Sequence, residues 1–241
     1  MGAMAAGKRV ALVTGGTRGI GAAIVRGLAS EGFAVAISGR TEPSVREAVE
    51  RFRKEGIPAA GHAADARREE EQKALIAWVA SEFSRLDVLV NNAGIGDFDS
   101  IEKLSPDRFR NVVETNLCGP YYAIHYAAPL MKTGGGGFIV NIGSLAAVNA
   151  FAGGAAYNAS KFGLLGLSDA AMLDLRHDGI RIALILPGSV ETEFSHSHRS
   201  RESSWMLRSE DIARAVADLV RYPDRAIPSR LDLRPSHPPK K

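Results

Sequence analysis

Seven short apolar runs alternate with six longer stretches of helical periodicity along this 241-residue chain, and that alternation constrains its fold more than any other feature. The runs fall near 9–13, 33–37, 58–63, 87–90, 138–141, 180–185 and 230–233; the helical stretches fall near 19–31, 43–55, 67–84, 103–132, 155–177 and 209–221. Strands separated each time by a helix must cross back over the sheet and lie parallel, with helices covering both faces. The pattern therefore predicts an α/β fold, a doubly wound, seven-stranded, mainly parallel sheet in one domain over residues 8–234. Ligands of such sheets gather at the carboxyl ends of the strands.

Composition narrows the function classes. Hydrophobic residues make up 45% of the chain, enough for one sizeable core, and no apolar run approaches the ~18 residues of a membrane span. Net charge is +3, with Lys and Arg scattered among Glu and Asp, so no nucleic-acid stripe is indicated. The single cysteine, Cys118, cannot form an internal disulfide, fits a reducing compartment and reads as a small buried hydrophobe. Residues 1–7 lack the charged start and apolar region of a secretory signal, and Ala6 argues against myristoylation, so a cytoplasmic location is expected. Residues 1–7 read as a flexible leader, and Pro235 to Lys241 as a frayed tail.

Two motifs carry chemistry. Val10-Ala11-Leu12-Val13 runs into Thr14-Gly15-Gly16-Thr17-Arg18-Gly19-Ile20-Gly21 and then a helix, the strand, glycine turn and helix of a dinucleotide fingerprint. Gly15 permits the tight turn, Gly19 and Gly21 permit close approach, and the helix start offers N–H groups to a pyrophosphate. Further on, Tyr157 and Lys161 stand four apart on one helix face, thirteen residues after Ser144. An ammonium near a phenol favours the phenolate, which brings Tyr157 toward neutrality as a general acid. By itself the Tyr-x-x-x-Lys pair is a weak signal.

Thr14 to Gly21, Asn91-Asn92-Ala93-Gly94, Asn116, Ser144, Tyr157, Lys161 and Pro187-Gly188, in this order over residues 8–192, resemble the short-chain dehydrogenase/reductase family and its Rossmann-type fold. The resemblance implies a catalytic tetrad: Tyr157 protonates the carbonyl oxygen, Ser144 hydrogen-bonds it, Lys161 lowers the Tyr157 pKa and binds the nicotinamide ribose, and Asn116 holds a water leading to Lys161. It also implies a cofactor cradle of Gly15, Thr17, Arg18, Gly19, Ile20 and Gly21, with Arg40, Thr41, Asp65, Asn92, Ala93 and Gly94. Tyr157, Lys161, Pro187, Gly188, Val190 and Thr192 complete that cradle, Thr192 holding the carboxamide. At the end of the second strand a carboxylate would select NAD, whereas here Gly39 precedes Arg40, which with Arg18 can hold a 2′-phosphate. NADP(H) is therefore the expected cofactor. Asp65 resembles an adenine-edge contact and reads equally as a helix N-cap.

The expected activity is an NADP(H)-dependent oxidoreductase acting on CH–OH with NADP(+) as acceptor, in effect a reductase of a small-molecule ketone or aldehyde. The alternatives are a 3-oxoacyl thioester reductase and a non-catalytic NADP(H) sensor on the same fold. Specificity is expected in Gly96 to Ser100, Leu145 to Gly154 and a lid over about 190–207, with Phe194 and Trp205 joining Ser144 and Tyr157 at the substrate. His196 and His198 in that lid lack cysteine or carboxylate partners and read as a solvated loop, so no metal is expected. No nucleic acid or membrane partner is expected. Residues 155–177 form a helix apolar nearly all round, which with the resemblance implies a homodimer or homotetramer.

Overall fold

The computed structural model describes residues 7–191 and 204–239. Its strands are β1 (Val10–Val13), β2 (Ala34–Gly39), β3 (Ala59–Ala63), β4 (Val88–Asn91), β5 (Gly137–Ile142), β6 (Ile180–Pro187) and β7 (Arg230–Leu233). They pair in parallel in the order β3-β2-β1-β4-β5-β6-β7. The chain winds outward from β1 to β3 and then the opposite way from β4 to β7. The winding reverses between β1 and β4, where open α/β sheets place their ligand crevice.

Both faces are covered, and the two-residue strand period divides the core accordingly. Ala11 and Val13 join Val88 and Val90 in the layer under α1 (Gly19–Ser30), α2 (Glu42–Lys54) and α7 (Ser209–Val220). Val10, Leu12 and Leu89 face the layer under α3 (Glu69–Phe83), α5 (Gly119–Thr133) and α6 (Ala155–Leu175). All four β1 side chains are fully buried, so truncating Leu12 to Ala costs about 2–5 kcal/mol. A polar chain threads this interior: Asn91 Nδ2 donates to Asn141 Oδ1 at 2.8 Å, Asn141 Nδ2 to Ser168 Oγ at 2.9 Å, and the Ser168 hydroxyl to the Leu164 carbonyl at 2.6 Å. It fixes β4, β5 and α6 together with every amide used, the condition under which buried polar groups avoid a penalty.

One expected helix is broken. The single helix expected over 103–132 is α4 (Pro106–Val113), a π-helical turn at Glu114–Cys118, and α5. Ser105 starts α4 by accepting the Arg108 N–H at 3.3 Å, ahead of Pro106 in the first turn. Pro120 has no N–H for the Asn116 carbonyl four residues back, and its ring crowds that carbonyl, so the backbone widens there. Asn116 therefore sits on a π-helical turn, with its side chain buried. The expected Thr192, Phe194, His196 and His198 lie outside the described residues, as do residues 1–6.

Candidate active site

At the carboxyl end of β5 the chain turns sharply through Ser144, whose extended backbone starts a short 3₁₀ turn at Leu145–Ala147. The Ser144 oxygen accepts the Ala146 N–H at 3.1 Å, leaving its O–H to hydrogen-bond Tyr157 on the first turns of α6. One turn further, the Lys161 ammonium lies 5.7 Å from the Tyr157 ring centroid and donates to the Ile142 carbonyl at 2.9 Å. Asn116 approaches from the π turn: its Oδ1 accepts the Ile95 N–H at 2.8 Å, and its Nδ2 donates to the Ile95 carbonyl at 2.9 Å and to Ser160 Oγ at 3.1 Å. Ser160 in turn donates to the Tyr157 carbonyl at 2.8 Å. The four residues expected to act together are thus joined through β5, the π turn and α6.

Burial sets the electrostatics. It pushes the Tyr157 phenol up, and the Ser144 hydrogen bond only partly opposes this; it pulls the Lys161 ammonium down to about 8. The expectation that Lys161 brings Tyr157 toward neutrality is not what this arrangement gives. Desolvation is the largest effect on the phenol, while the ammonium is directed to the Ile142 carbonyl.

Two strands away in the sheet, the turn after β1 is built around close backbone approach. A Cβ on Gly21 would stand 2.2 Å from the Gly15 carbonyl oxygen, and Gly15 itself adopts φ +63°. Gly19 adopts φ +52° with open space on its side-chain face, so the start of α1 is uncovered there. Asn92 locks the turn from β4, its amide donating to the carbonyls of Thr14 at 3.0 Å and Gly15 at 3.1 Å. The Asn92 and Ala93 N–H groups donate to the Thr14 hydroxyl, and Gly94 lies beside the Asn116 amide. Ile20 packs on the core.

At the end of β2, a Cβ on Gly39 would meet Thr17 Cγ2 at 2.6 Å, so any side chain there requires the Thr17 side chain to shift. Arg18 and Arg40 flank this position and are exposed; Thr41 hydrogen-bonds Ser44 at 3.0 Å. Arg51 on α2, which the sequence did not single out, donates to the Thr17 carbonyl at 2.6 Å and braces the turn from behind. Asp65 is paired with Arg67 at 2.5 Å and accepts its N–H at 3.0 Å, which holds its carboxyl below the ordinary carboxylate range. Helix α3 begins after Arg68, so Asp65 is not its N-cap.

Beyond β6, which ends at Pro187, the Gly188 N–H donates to the Leu233 carbonyl at 2.8 Å. Val190 pairs with Leu207, joining the two ends of the expected lid, and the partly buried Trp205 stands just before that pairing. Phe98 packs edge-on to Tyr157, with ring centroids 5.5 Å apart, and lies 5.8 Å from Phe151. The segments that carry these two rings were expected to set specificity, but the contact between them was not visible in the sequence. Among the described residues no cluster of His, Cys, Asp or Glu could hold a metal ion, and no helix is long and apolar enough to cross a membrane.

A strand, glycine turn and helix, with a Ser, Tyr and Lys cluster at the same carboxyl end of the sheet, points to an oxidoreductase architecture, and comparison with known proteins makes the assignment specific. The family model described as short chain dehydrogenase matches residues 9–203. A putative ketoacyl reductase of Streptomyces coelicolor is 37% identical over 208 residues, 84% of this chain and 78% of that protein. A solved metagenomic short-chain oxidoreductase in complex with NADP is 35% identical, with a TM-score of 0.83 over 95% of this chain and 98% of that one. An alcohol dehydrogenase of Thermococcus sibiricus, complexed with 5-hydroxy-NADP, is 28% identical, with a TM-score of 0.88 over 97% of this chain and all of the other. The chain belongs to the short-chain dehydrogenase/reductase family of oxidoreductases.

Proposed function

We propose that the protein is an NADP(H)-dependent reductase of ketones or aldehydes, using Ser144, Tyr157, Lys161 and Asn116. The observation that carries this reading is the Ser144–Tyr157 pair with the Lys161 ammonium one turn away, at the carboxyl end of the sheet that also bears the glycine turn. The turn fits a dinucleotide: it leaves open the space beside Gly19 at the start of α1, and helix N-terminal N–H groups attract phosphate. Gly15, Gly19, Gly21, Asn92, Ala93 and Gly94 would hold the cofactor, and Arg18 and Arg40 would pair with a 2′-phosphate. Both solved relatives described above are NADP-type complexes. Bound there, the cofactor supplies or accepts the hydride.

The chain's own groups handle the proton. Reduction builds negative charge on the carbonyl oxygen, and Ser144 and Tyr157 are the hydroxyls placed to hydrogen-bond it. Tyr157, kept protonated by burial, is the donor. Lys161 stands behind it on the same helix face, and Asn116 holds the Ile95 loop and α6 in register.

Kinship with a putative ketoacyl reductase supports 3-oxoacyl thioesters as a second substrate class. The test is a panel of ketones, aldehydes and acyl thioesters with NADPH, run on wild type and Tyr157→Phe. Turnover that falls by about 10³-fold or more in the variant, with cofactor affinity nearly intact, is the expected result. Near-wild-type turnover would remove the proton-donor role, and cofactor binding with no turnover of any substrate would favour a sensor.

A further inference from the structure

Two large apolar rings stand open to solvent at the mouth of the candidate site. Phe98 is 43% exposed and Phe151 47% exposed, and they lie on separate loops more than fifty residues apart in sequence. Single exposed apolar residues need no explanation; a contacting pair, one of whose rings packs on the proposed acid, does. The Phe98 ring meets the Phe151 ring at 5.8 Å and the Tyr157 ring, edge-on, at 5.5 Å, within the range of favourable aromatic geometry.

Both loops are held in place before any ligand arrives. The Asp99 N–H donates to the Gly153 carbonyl at 2.9 Å, and Asp99 pairs with Gly154 as an isolated bridge, so the two loops are tied to each other. On either side of Phe98, the Arg108 guanidinium of α4 grips Asp97 and Asp99, the latter at 2.9 Å. Buried Asn158, next to Tyr157, donates to the carbonyls of Ala146 at 2.8 Å and Asn149 at 3.1 Å, and its Oδ1 accepts the Phe151 N–H at 3.4 Å. Loops tethered this way lose little freedom when a ligand packs on them, so their exposed rings are suited to recognition.

We propose that Phe98 and Phe151 form a preorganised aromatic wall beside the Tyr157 ring, selecting carbonyl compounds that carry a flat aryl or cyclic apolar group on the carbonyl carbon. The proposal rests on the reductase reading above and names its substrate class. A flat apolar group on the carbonyl carbon stacks on the wall while its oxygen reaches the Ser144 and Tyr157 hydroxyls. Open-chain polyols offer no flat apolar face to the rings and lose hydration there.

The experiment compares kcat/KM for acetophenone and 2-butanone with NADPH. Wild type is expected to prefer acetophenone, and Phe98→Ala and Phe151→Ala each to lower that preference about tenfold, the scale of one lost apolar contact. Phe98→Leu, which keeps bulk without a ring, is expected to lose much of the preference, and Phe98→Tyr to retain it. These two variants keep the test decisive if a truncated loop fails to fold. Saturation-transfer NMR on the Tyr157→Phe complex with NADPH should show the acetophenone ring protons in contact, with the signal lost on adding Phe98→Ala. An unchanged preference in Phe98→Ala, Phe151→Ala and Phe98→Leu overturns the wall alone. Turnover of neither ketone by a wild type that reduces another member of the panel above overturns the wall alone, and turnover of no member of that panel overturns the reductase reading and the wall with it.

Discussion

Lys161 carries the most quantitative consequence. Burial lowers its pKa from 10.5 to about 8, which corresponds to about 3 kcal/mol of free energy against the charged form in the folded protein. Below pH 8 the folded chain carries that penalty in full. As pH rises through 8 the folded protein releases the proton, while the unfolded chain keeps its own until about 10.5. The unfolded state then binds more protons, and stability rises with pH. Tyr157 acts in the opposite sense, because its raised pKa keeps the phenol protonated in the fold after the unfolded chain has begun to ionise near 10. Cys118 also acts in this opposing sense from about pH 9, its thiol being raised by burial. The rising window is therefore pH 8 to 10.

Lys161→Met isolates the effect. Methionine fills similar space without charge but leaves the Ile142 carbonyl without its donor, a pH-independent cost of about 1–3 kcal/mol. Urea unfolding of cofactor-free wild type and variant, measured from pH 7 to 10.5, gives two curves whose difference contains Lys161 alone. Wild type is expected to gain on the variant by up to about 1.4 kcal/mol per pH unit through the window, approaching 3 kcal/mol in total. Parallel curves would refute the reasoning, since they would mean that Lys161 has the same pKa folded and unfolded.

Gly21→Ala places a methyl 2.2 Å from the Gly15 carbonyl oxygen and 2.6 Å from the Asn92 amide; about 1–3 kcal/mol of destabilisation in urea and at least tenfold weaker cofactor binding by fluorescence are expected. Arg40→Asp puts a carboxylate beside the proposed 2′-phosphate position and should erode or reverse the proposed NADPH preference over NADH in the same titration. Self-association through α5 and α6 is expected because Phe162 and Leu173 of α6 are 46% and 54% exposed and Tyr121 of α5 is also open. Light scattering at micromolar concentration should give a dimer or tetramer, and Phe162→Glu with Leu173→Glu should shift it toward monomer.

The strands and five of the six helical stretches were legible from short apolar runs alternating with helical spacing, and β1 shows how sharply the strand period assigns Val10 and Leu12 to one layer and Ala11 and Val13 to the other. The stretch over 103–132 misled because apolar spacing is blind to a widened turn. The signal was Pro120, which cannot donate to the carbonyl of Asn116. Local motifs placed Ser144, Tyr157 and Lys161, but their proton affinities depend on burial, which spacing does not encode. Phe98 with Phe151, Arg108 with Asp97 and Asp99, and Asn158 with Asn149 act through contacts between loops. Such contacts appear only once the sheet has set those loops side by side.

The pairing of Val190 with Leu207 has a consequence for how such a protein can change. Reciprocal backbone hydrogen bonds fasten the base of this excursion, from Glu191 N–H to the Leu207 carbonyl at 2.8 Å and from Leu207 N–H to the Ser189 carbonyl at 3.0 Å. Whatever lies between is anchored at both ends to a point just past β6 and just ahead of α7. Doubling the length of a segment closed in this way costs only about 0.6 kcal/mol, small beside the stability of a domain of this size. Insertions, deletions and wholesale replacement between 191 and 204 can therefore be sampled by evolution, or by an engineer, without retuning the sheet or the proton-handling residues.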